Sequence, residues 1–345
     1  MARGRIPAVA AGPRAAPVPR PPNPGGEFGL IERIRARAGS RSDVVLGIGD
    51  DAAVLWVPPG QDLVVTTDTL VAGRHFPRAT AARETGWKAL AVNLSDLAAM
   101  GATPAWASLA LTLPRIDIAW LDAFVGGFMA LARRHGVALV GGDTTRGPLS
   151  VTITAQGFVP RGAALRRDGA RPGDAIYVSG ALGDAAAGLR VARGGLRAAP
   201  ASAARALRMR LDHPQPRVAL GLALRGIASA AIDVSDGLAQ DLRHILQASG
   251  VGGAIEVDAL PASRALRGAV AARAARRKLQ LAGGDDYELC FTVPAARVGR
   301  LAAIARRLRL PLTRIGTVLR TPGLALLDAR ARPVRLRRAG YDHFD

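Results

Sequence analysis

Predicted strands and helices alternate along most of this chain, and the alternation breaks once, at an Arg-, Gly- and Pro-rich segment over residues 161–174. Strands are predicted at 44–47, 62–67, 106–113, 138–141, 150–159, 175–178, 230–235, near 255 and at 289–293, and helices at 27–38, 84–100, 121–135, 184–193, 216–227, 238–248 and 295–308. A chain of 345 residues is too long for one ordinary core. We therefore predict two domains, over residues 27–160 and 161–345, preceded by a tail.

The tail, residues 1–26, is rich in Pro, Ala and Arg, and its apolar stretch from Ile6 to Ala11 is too short for the core of a signal peptide. We predict a disordered extension; the alternatives are a transit peptide, which is also Arg-rich and acid-poor, and a misplaced start codon. Polar residues or Gly interrupt every apolar run before the ~18 residues that a membrane span needs. Because the single cysteine, Cys290, lies in an apolar segment without a disulfide partner, we predict a cytoplasmic protein.

The formal net charge of +20 is compatible with nucleic acid, anionic membranes or anionic metabolites as partners. One Arg-rich run, 297–309, contains apolar residues at helical spacing (Val298, Leu301, Ile304 and Leu308), so its arginines are expected on the solvated face of a helix. Aromatic residues for base stacking are not interleaved with the arginines. We therefore predict no nucleic-acid or membrane partner, and a basic nucleic-acid-binding protein is the less favoured alternative.

Acidic residues are scarce in this chain, and a set of them lies just beyond predicted strands or at helix starts, beside Gly, Thr and Ser. The set comprises Asp50, Asp51, Asp68, Asp143, Asp233 and Asp236. Strand ends are where α/β proteins bind ligands, and converging carboxylates repel each other unless a cation neutralises them. With the neighbouring oxygens of Thr66, Thr67 and Ser235, the set favours Mg²⁺ that bridges protein and nucleotide phosphates. The alternative for each aspartate is a helix cap or a turn.

Two segments match phosphate-binding patterns only formally. Gly47–Ala52 fits the dinucleotide fingerprint, but two carboxylates lie where a pyrophosphate needs bare backbone amides, and a Pro-Pro pair breaks the helix that should follow. No P-loop is present. Gly180–Asp184 could bind phosphate at a helix N-terminus, but N-capping by Asp184 is the preferred interpretation.

Three further features have two interpretations each. Asn93 and Asp96 share a face of an otherwise apolar helix, where they either form a buried hydrogen-bonding pair or reach into a site. A lone histidine such as His75 is more often structural than functional. The acidic segment Asp285–Glu288 suits a cationic group such as a thiazolium, or is simply an acidic turn.

Taken together, several motifs resemble the thiamine-monophosphate kinase family, within the superfamily of aminoimidazole ribonucleotide synthetase, and they occur in the order of that family. They are Gly47–Val54 (GIGDDAAV), Thr67–Phe76 (TDTLVAGRHF), Asn93–Gly101 (NLSDLAAMG), Gly141–Gly147 (GGDTTRG), Ile232–Gly237 (IDVSDG), Gly283–Phe291 (GGDDYELCF) and Gly340–Phe344 (GYDHF). The resemblance covers the chain from about Glu27 onwards. It implies an N-terminal mixed α/β domain that binds ATP and magnesium, a C-terminal α+β domain, and a homodimer joined through the N-terminal domains.

The same resemblance implies transfer of the γ-phosphate of ATP to thiamine monophosphate, giving thiamine diphosphate. The implied magnesium ligands are Asp51, Thr66, Thr67, Asp68, Asp96, Asp143, Asp233 and Asp236, and Asp68, Asp143 and Asp233 are the implied catalytic residues. ATP would contact Gly142, Asp143, Arg167 and Ser235. Thiamine monophosphate would contact His75, Asp285 and Tyr341.

One position departs from the family's motif, because Asp285 stands where the family usually has Glu. The shorter carboxylate keeps the charge and loses reach. A sister enzyme that uses ATP to activate another substrate is the main alternative, although relatives that need a reactive N- or C-terminal cysteine do not match a chain whose only cysteine is Cys290. Since a phosphate monoester has a second pKa of about 6, the acceptor is largely ionised at neutral pH, and we expect direct in-line transfer without a general base.

Overall fold

Two β-sheets organise the chain, and the strands of each sheet come from one side of residues 161–174. The structure, a computed structural model, describes residues 26–197, 199–336 and 340. The prediction of a disordered tail and the predicted role of Tyr341 therefore fall on residues outside the described ones.

The N-terminal sheet is four-stranded. Its half of the chain contains helices α1 (Glu27–Arg35), α2 (Ala82–Ala99) and α3 (Ile118–His135), a short hairpin of β1 (Val44–Leu46) and β2 (Val54–Leu55), and strands β3 (Gln61–Val71), β4 (Thr103–Leu113), β5 (Ala138–Arg146) and β6 (Ser150–Pro160). The last four form the sheet in the order β3-β6-β4-β5, in which only the β4–β5 pair is parallel.

One face of this sheet packs against α2 and α3. Local sequence sets the ends of α3, since the Asp117 carboxylate accepts a hydrogen bond from the Trp120 N–H at 2.9 Å and Gly136 ends the helix in the left-handed region. The backbones of α2 and α3 touch, because a Cβ at Gly86 would lie 2.0 Å from the Phe124 carbonyl oxygen. Most of α2 is buried, which makes it the central helix of the N-terminal half.

The opposite face of the four-stranded sheet is covered only in part, because Val44, Ala53 and Leu55 of the β1–β2 segment pack on Trp106 and Phe158, and the rest of this face has no cover in the described chain. It carries Leu63, Val65, Thr67, Thr69 and Val71 of β3, Thr152 and Thr154 of β6, Ala110 of β4 and Asp143 of β5, and we call it the open face. The side chains of Leu63 and Val65 are 44% and 55% exposed there. Apolar residues on an uncovered sheet face are typical of a contact surface.

The C-terminal sheet is six-stranded, with the order β12-β9-β11-β7-β10-β8. Its strands are β7 (Ala175–Ser179), β8 (Ala230–Asp233), β9 (Gly252–Glu256), β10 (Leu289–Val293), β11 (Leu312–Leu319) and β12 (Gly323–Leu327), and only the β12–β9 pair is parallel. The helices are α4 (Asp184–Ala192), α5 (Ala201–Asp212), α6 (Val218–Leu224), α7 (Leu238–Ala248), α8 (Arg264–Ala269), α9 (Arg273–Ala282) and α10 (Leu301–Leu308), the last preceded by a 3₁₀ turn at Ala295–Arg300. As expected, α10 buries Leu301 and Ile304.

The two halves share one hydrophobic core. Residues of α2 and α3 belong to the same buried cluster as Tyr177 of β7 and Phe291 of β10. The backbones of α2 and α6 are in contact, since a Cβ at Gly221 would lie 2.0 Å from the Ala98 carbonyl oxygen. Within the described ranges, no helix combines the length and the apolar character that a membrane span requires.

Three strand ends beside candidate site residues were predicted wrongly. The strand predicted at 230–235 ends at Asp233, so Ser235 lies beyond it. β3 continues to Val71 and β5 to Arg146, so Asp68 and Asp143 lie inside strands rather than beyond their ends. Polar runs such as Thr-Asp-Thr were interpreted as turns, whereas an edge strand with one open face accommodates alternating polar side chains. Helices α5, α8 and α9 and strands β2, β11 and β12 were not predicted.

Candidate active site

A cavity of about 960 Å³ opens where the two halves meet. The N-terminal half contributes β3, the loop that follows it and α2; the C-terminal half contributes α4, the segment after β8 and the segment after α9. The lining includes Thr67, Asp68, His75, Asp96, Asp233, Ser235, Asp236 and Asp285. Residues that were singled out from distant parts of the sequence therefore surround one space.

Three carboxylates in this cavity repel one another. Burial and the negative charge of Asp96 raise the pKa of Asp68 to about 7. Burial, followed by the charge of Asp96, raises the pKa of Asp233 well above its usual range, and only 4% of Asp233 is exposed. Desolvation and like charges both disfavour ionised carboxylates, and for Asp68 and Asp233 no positive group of the chain offsets them.

Neighbouring groups hold these carboxylates in place. The Ser95 hydroxyl donates to Asp233 Oδ2 at 2.7 Å, and the Thr66 hydroxyl donates to Asp96. Burial raises the pKa of Asp96, while the Thr66 hydrogen bond and the positive charge of Arg167 oppose that rise. Thr66 and Arg167 thus act on the cluster without lining the cavity themselves.

The donor set fits Mg²⁺. Carboxylate and hydroxyl oxygens are the ligands that a hard cation prefers, and a divalent ion would relieve the repulsion between Asp68, Asp96 and Asp233. Among the described residues, no three acidic, histidine or cysteine side chains already form a ligand cage. Mg²⁺ is seldom held in such a cage. It usually keeps several waters and is bound by one or two protein carboxylates together with the phosphates of the substrate.

The structure does not bring every predicted site residue to the cavity. Asp143 is aligned across neighbouring strands with Ala110, Thr152 and Thr69, and the side chains of these four residues lie on the open face. Asp68 points to the other face, which packs against the helices. Asp143 and Asp68 therefore lie on opposite faces of the sheet.

Asp51 and Gly142 also lie outside the cavity lining. Asp51 is exposed in the turn after β1, where its N–H donates to the Asp50 carboxylate at 2.9 Å. Gly142 has a structural requirement of its own, since its φ is +150° and a Cβ there would lie 1.8 Å from the Leu109 carbonyl oxygen. The predicted ligand roles of Asp51, Gly142 and Asp143 remain predictions.

The acidic segment after α9 divides into three separate environments. Asp285 lines the cavity, with a φ of +69°. Asp286 is buried and accepts hydrogen bonds from the N–H groups of Gly183 at 2.6 Å and Ala185 at 3.3 Å. Glu288 is fully buried and accepts from Arg210 Nη2 at 2.7 Å and Arg217 Nε at 2.6 Å.

This arrangement corrects the expected cap of α4. Asp286, not Asp184, satisfies the N–H groups at the N-terminus of that helix, and Asp184 instead accepts from the Ser263 hydroxyl at 2.7 Å. A bound phosphate is not needed to explain Gly180–Gly183, because a buried carboxylate already occupies the position. Asp286 and Glu288 are thus structural, and only Asp285 faces the cavity.

Four residues that support the site were not identified from the sequence: Lys88, Ser95, Asp241 and Tyr287. Asp241 accepts from the N–H groups of Ser235, Asp236 and Gly237 at 3.1, 3.2 and 3.0 Å and so fixes the turn that carries two candidate ligands. Its position in the first turn of α7 was an available signal, since acids favour helix N-termini. Burial raises the pKa of Tyr287 well above its usual range, which keeps its hydroxyl protonated as a donor.

The two sheets and the cavity between them define the class of this protein. Residues 49–159 match the family model "AIR synthase related protein, N-terminal domain", and residues 171–328 match "AIR synthase related protein, C-terminal domain". The predicted fold class, a mixed α/β domain followed by an α+β domain of this superfamily, is confirmed.

The similar proteins narrow that class to one family. The thiamine-monophosphate kinase of Salmonella typhimurium is 51% identical over 320 residues, which are 92% of this chain and 98% of that protein. The crystal structure of thiamine-monophosphate kinase from Stenotrophomonas maltophilia K279a has a TM-score of 0.81 and 54% identity, over 87% of this chain and 96% of that chain. AaThiL complexed with AMPPCP and TMP has a TM-score of 0.72 and 31% identity, over 92% and 97% respectively. This chain belongs to the thiamine-monophosphate kinase family, as the sequence motifs predicted.

Proposed function

We propose that this chain transfers the γ-phosphate of ATP to thiamine monophosphate, forming thiamine diphosphate, in the cytoplasm. The observation that carries the proposal is the convergence of Asp68, Asp96 and Asp233 with His75 and Asp285 around one cavity. The first three suit a metal-bound phosphate chain, and the last two suit the acceptor. Identity of 51% to a thiamine-monophosphate kinase over nearly its whole length supports the same reaction.

The residues divide the work by position. Asp68, Asp96, Asp233 and Asp236 would hold Mg²⁺, and the ion when bound supplies the positive charge that stabilises the transferring phosphoryl group. Ser235 and Arg167 would bind ATP. His75 and Asp285 would orient thiamine monophosphate with its phosphate toward the acids, and positioning of the two oxygens in line supplies most of the remaining rate enhancement.

No residue of the cavity needs to act as a general base. A phosphate monoester is largely ionised at neutral pH, because its second pKa is about 6, so the attacking oxygen already carries a negative charge. We therefore propose direct transfer from ATP to the acceptor, without a phosphoenzyme. The structure of AaThiL complexed with AMPPCP and TMP supports a ternary arrangement in which donor and acceptor bind together.

We also propose a homodimer joined through the open face. The exposed side chains of Leu63 and Val65 support this assignment, because an apolar sheet face is stabilised when a second copy covers it. Asp143 lies on the same face. A contribution of Asp143 to an ATP site would therefore depend on the second copy, since its own side chain points away from the cavity.

The deciding experiment supplies purified protein with ATP, Mg²⁺ and thiamine monophosphate and follows thiamine diphosphate by chromatography. Parallel reactions contain free thiamine instead of the monophosphate, or EDTA instead of Mg²⁺. We expect the diphosphate only from the monophosphate and only with Mg²⁺. ATP turnover that thiamine monophosphate fails to stimulate would instead indicate a sister enzyme with another substrate.

A further inference from the structure

A buried lysine connects the two residues that face the acceptor. Lys88 lies on α2, in the N-terminal half, and only 2% of its side chain is exposed. It is one of two lysines in a chain whose other basic residues are arginines, and α2 is otherwise mostly apolar. A buried ammonium is costly unless it is paired, so its partners indicate what it is for.

The partners of Lys88 come from both sides of the cavity. Its Nζ lies 3.0 Å from Asp285 Oδ2, and the side chain of Asp285 is 28% exposed to the cavity. The same Nζ donates to the His75 carbonyl oxygen at 3.4 Å. On the far side of the carboxylate, the Tyr287 hydroxyl donates to Asp285 Oδ1 at 3.0 Å.

These contacts fix the Asp285 carboxylate through both of its oxygens. Asp285 and Tyr287 have φ values of +69° and +49°, in the left-handed region that side chains other than glycine rarely adopt. Such a segment needs external contacts to hold it. The Asp285 and Tyr287 N–H groups donate to the carbonyl oxygens of Ser235 and Val234 at 2.7 and 2.9 Å, and Lys88 adds a charged contact from the other half. Because the ammonium of Lys88 neutralises the Asp285 carboxylate, the pair adds little net charge to the cavity. Its main effect is to fix where the carboxylate lies.

We propose that Lys88 is a positioning residue for the acceptor: its ammonium holds the Asp285 carboxylate and the His75 segment at the separation that thiamine monophosphate needs. This inference rests on the proposed function and adds a residue to it. Lys88 itself does not line the cavity and touches the acceptor only through its two partners.

The test compares Lys88→Met, Asp285→Asn and the double variant K88M/D285N. We expect Lys88→Met to raise the KM for thiamine monophosphate about tenfold, as the loss of a charge-assisted hydrogen bond implies, and to leave the KM for ATP within about twofold. Each single variant leaves the other member of the pair, Asp285 or Lys88, without its charged partner, so the Tm should fall in both. In the double variant the Tm should recover while the KM for thiamine monophosphate stays raised.

A raised KM for thiamine monophosphate at an unchanged KM for ATP in Lys88→Met separates positioning from mere stability, and recovery of the Tm in the double variant shows that the two charges stabilise each other. Arg41→Met is the matched control, because Arg41 pairs with the buried Asp43 at 2.9 and 2.7 Å away from the cavity. It should lower the Tm and leave both KM values unchanged. If Lys88→Met does not fold, Lys88→Arg provides the measurement: it keeps the charge but moves it, so the KM for thiamine monophosphate should still rise, and an unchanged KM would overturn the inference.

An unchanged or lowered KM for thiamine monophosphate in the folded Lys88→Met or double variant would overturn the inference; a lowered value would show that Lys88 merely competes with the acceptor for the Asp285 charge. Wild-type protein without activity on thiamine monophosphate would overturn the proposed function itself. The two failures are therefore distinguishable.

Discussion

The acids of this chain differ in whether a positive group accompanies them. Asp43, Asp258 and Glu288 each have an arginine within hydrogen-bonding distance. Asp68 and Asp233 instead have other carboxylates around them, and burial together with those negative charges raises the pKa of each. In a chain with 47 basic and 27 acidic residues, leaving buried carboxylates without a cation of the protein favours an external one.

Replacing Asp68 with Asn should remove one of these ligands at nearly constant shape. We expect kcat to fall by well over tenfold, about 1.4 kcal/mol for each factor of ten, because the amide oxygen attracts Mg²⁺ less than a carboxylate does. The stabilisation that Mg²⁺ with an ATP analogue gives to the Tm should shrink in parallel. Asp62→Asn, at the other end of β3, is the matched control and should change neither quantity; a near-normal rate for Asp68→Asn would contradict the metal assignment.

The candidate site was predictable from sequence where short motifs carry the chemistry, and less so where the contact is long-range. Asp68 and Asp233 were singled out because each lies in a compact polar motif, whereas the role of Asp96 was implied by the family resemblance. Lys88 was missed, since a lone lysine in an apolar helix gives no indication of a partner in the other half of the chain. Pairings of this kind depend on how the halves pack, which local spacing does not encode.

At the scale of single elements, the acidic segment Asp285–Asp286 both lines the cavity and caps the N-terminus of α4. Asp285 faces the cavity, and its neighbour Asp286 turns the opposite way to accept from Gly183 and Ala185. The turn is thereby anchored to α4, and Ala186, Leu189 and Arg190 of that helix line the cavity. The sequence indicated a helix at 184–193, but the cap was misassigned because the true acceptor comes from a distant segment.

Replacing Asp286 with Ala should expose the importance of this anchor. Two buried N–H groups would lose their acceptor, which should lower the free energy of unfolding by about 1–3 kcal/mol. Asp286→Asn keeps one acceptor oxygen and should lose less. The measurement is urea denaturation, with the exposed Asp168→Ala as a control expected to be indistinguishable from wild type; equal stability of Asp286→Ala and wild type would contradict the capping role.

At the scale of the whole molecule, the shared core and the open face define opposite sides of the N-terminal sheet. The core side joins the halves through α2 and places the cavity between them. The open side carries apolar β3 residues and Asp143. Sequence alternation within β6 was recognised in advance, but which face would be covered depends on how α2 and α3, earlier in the chain, pack against the sheet.

Replacing Val65 with Glu tests whether the open face is a contact between two copies. Burying an unpaired carboxylate at the centre of an apolar interface is unfavourable and should outweigh the free energy gained by dimerisation. We therefore expect the variant to elute as a monomer in size-exclusion chromatography with light scattering, while the wild type is a dimer. Met209→Glu is the matched control, because Met209 is equally exposed, at 54% against 55%, but lies on α5 in the other half. It should remain dimeric. A wild-type monomer, or a Val65→Glu variant that remains a dimer, would contradict the assignment. If Asp143 contributes to the ATP site of the second copy, Val65→Glu should lose as much activity as Asp143→Asn does.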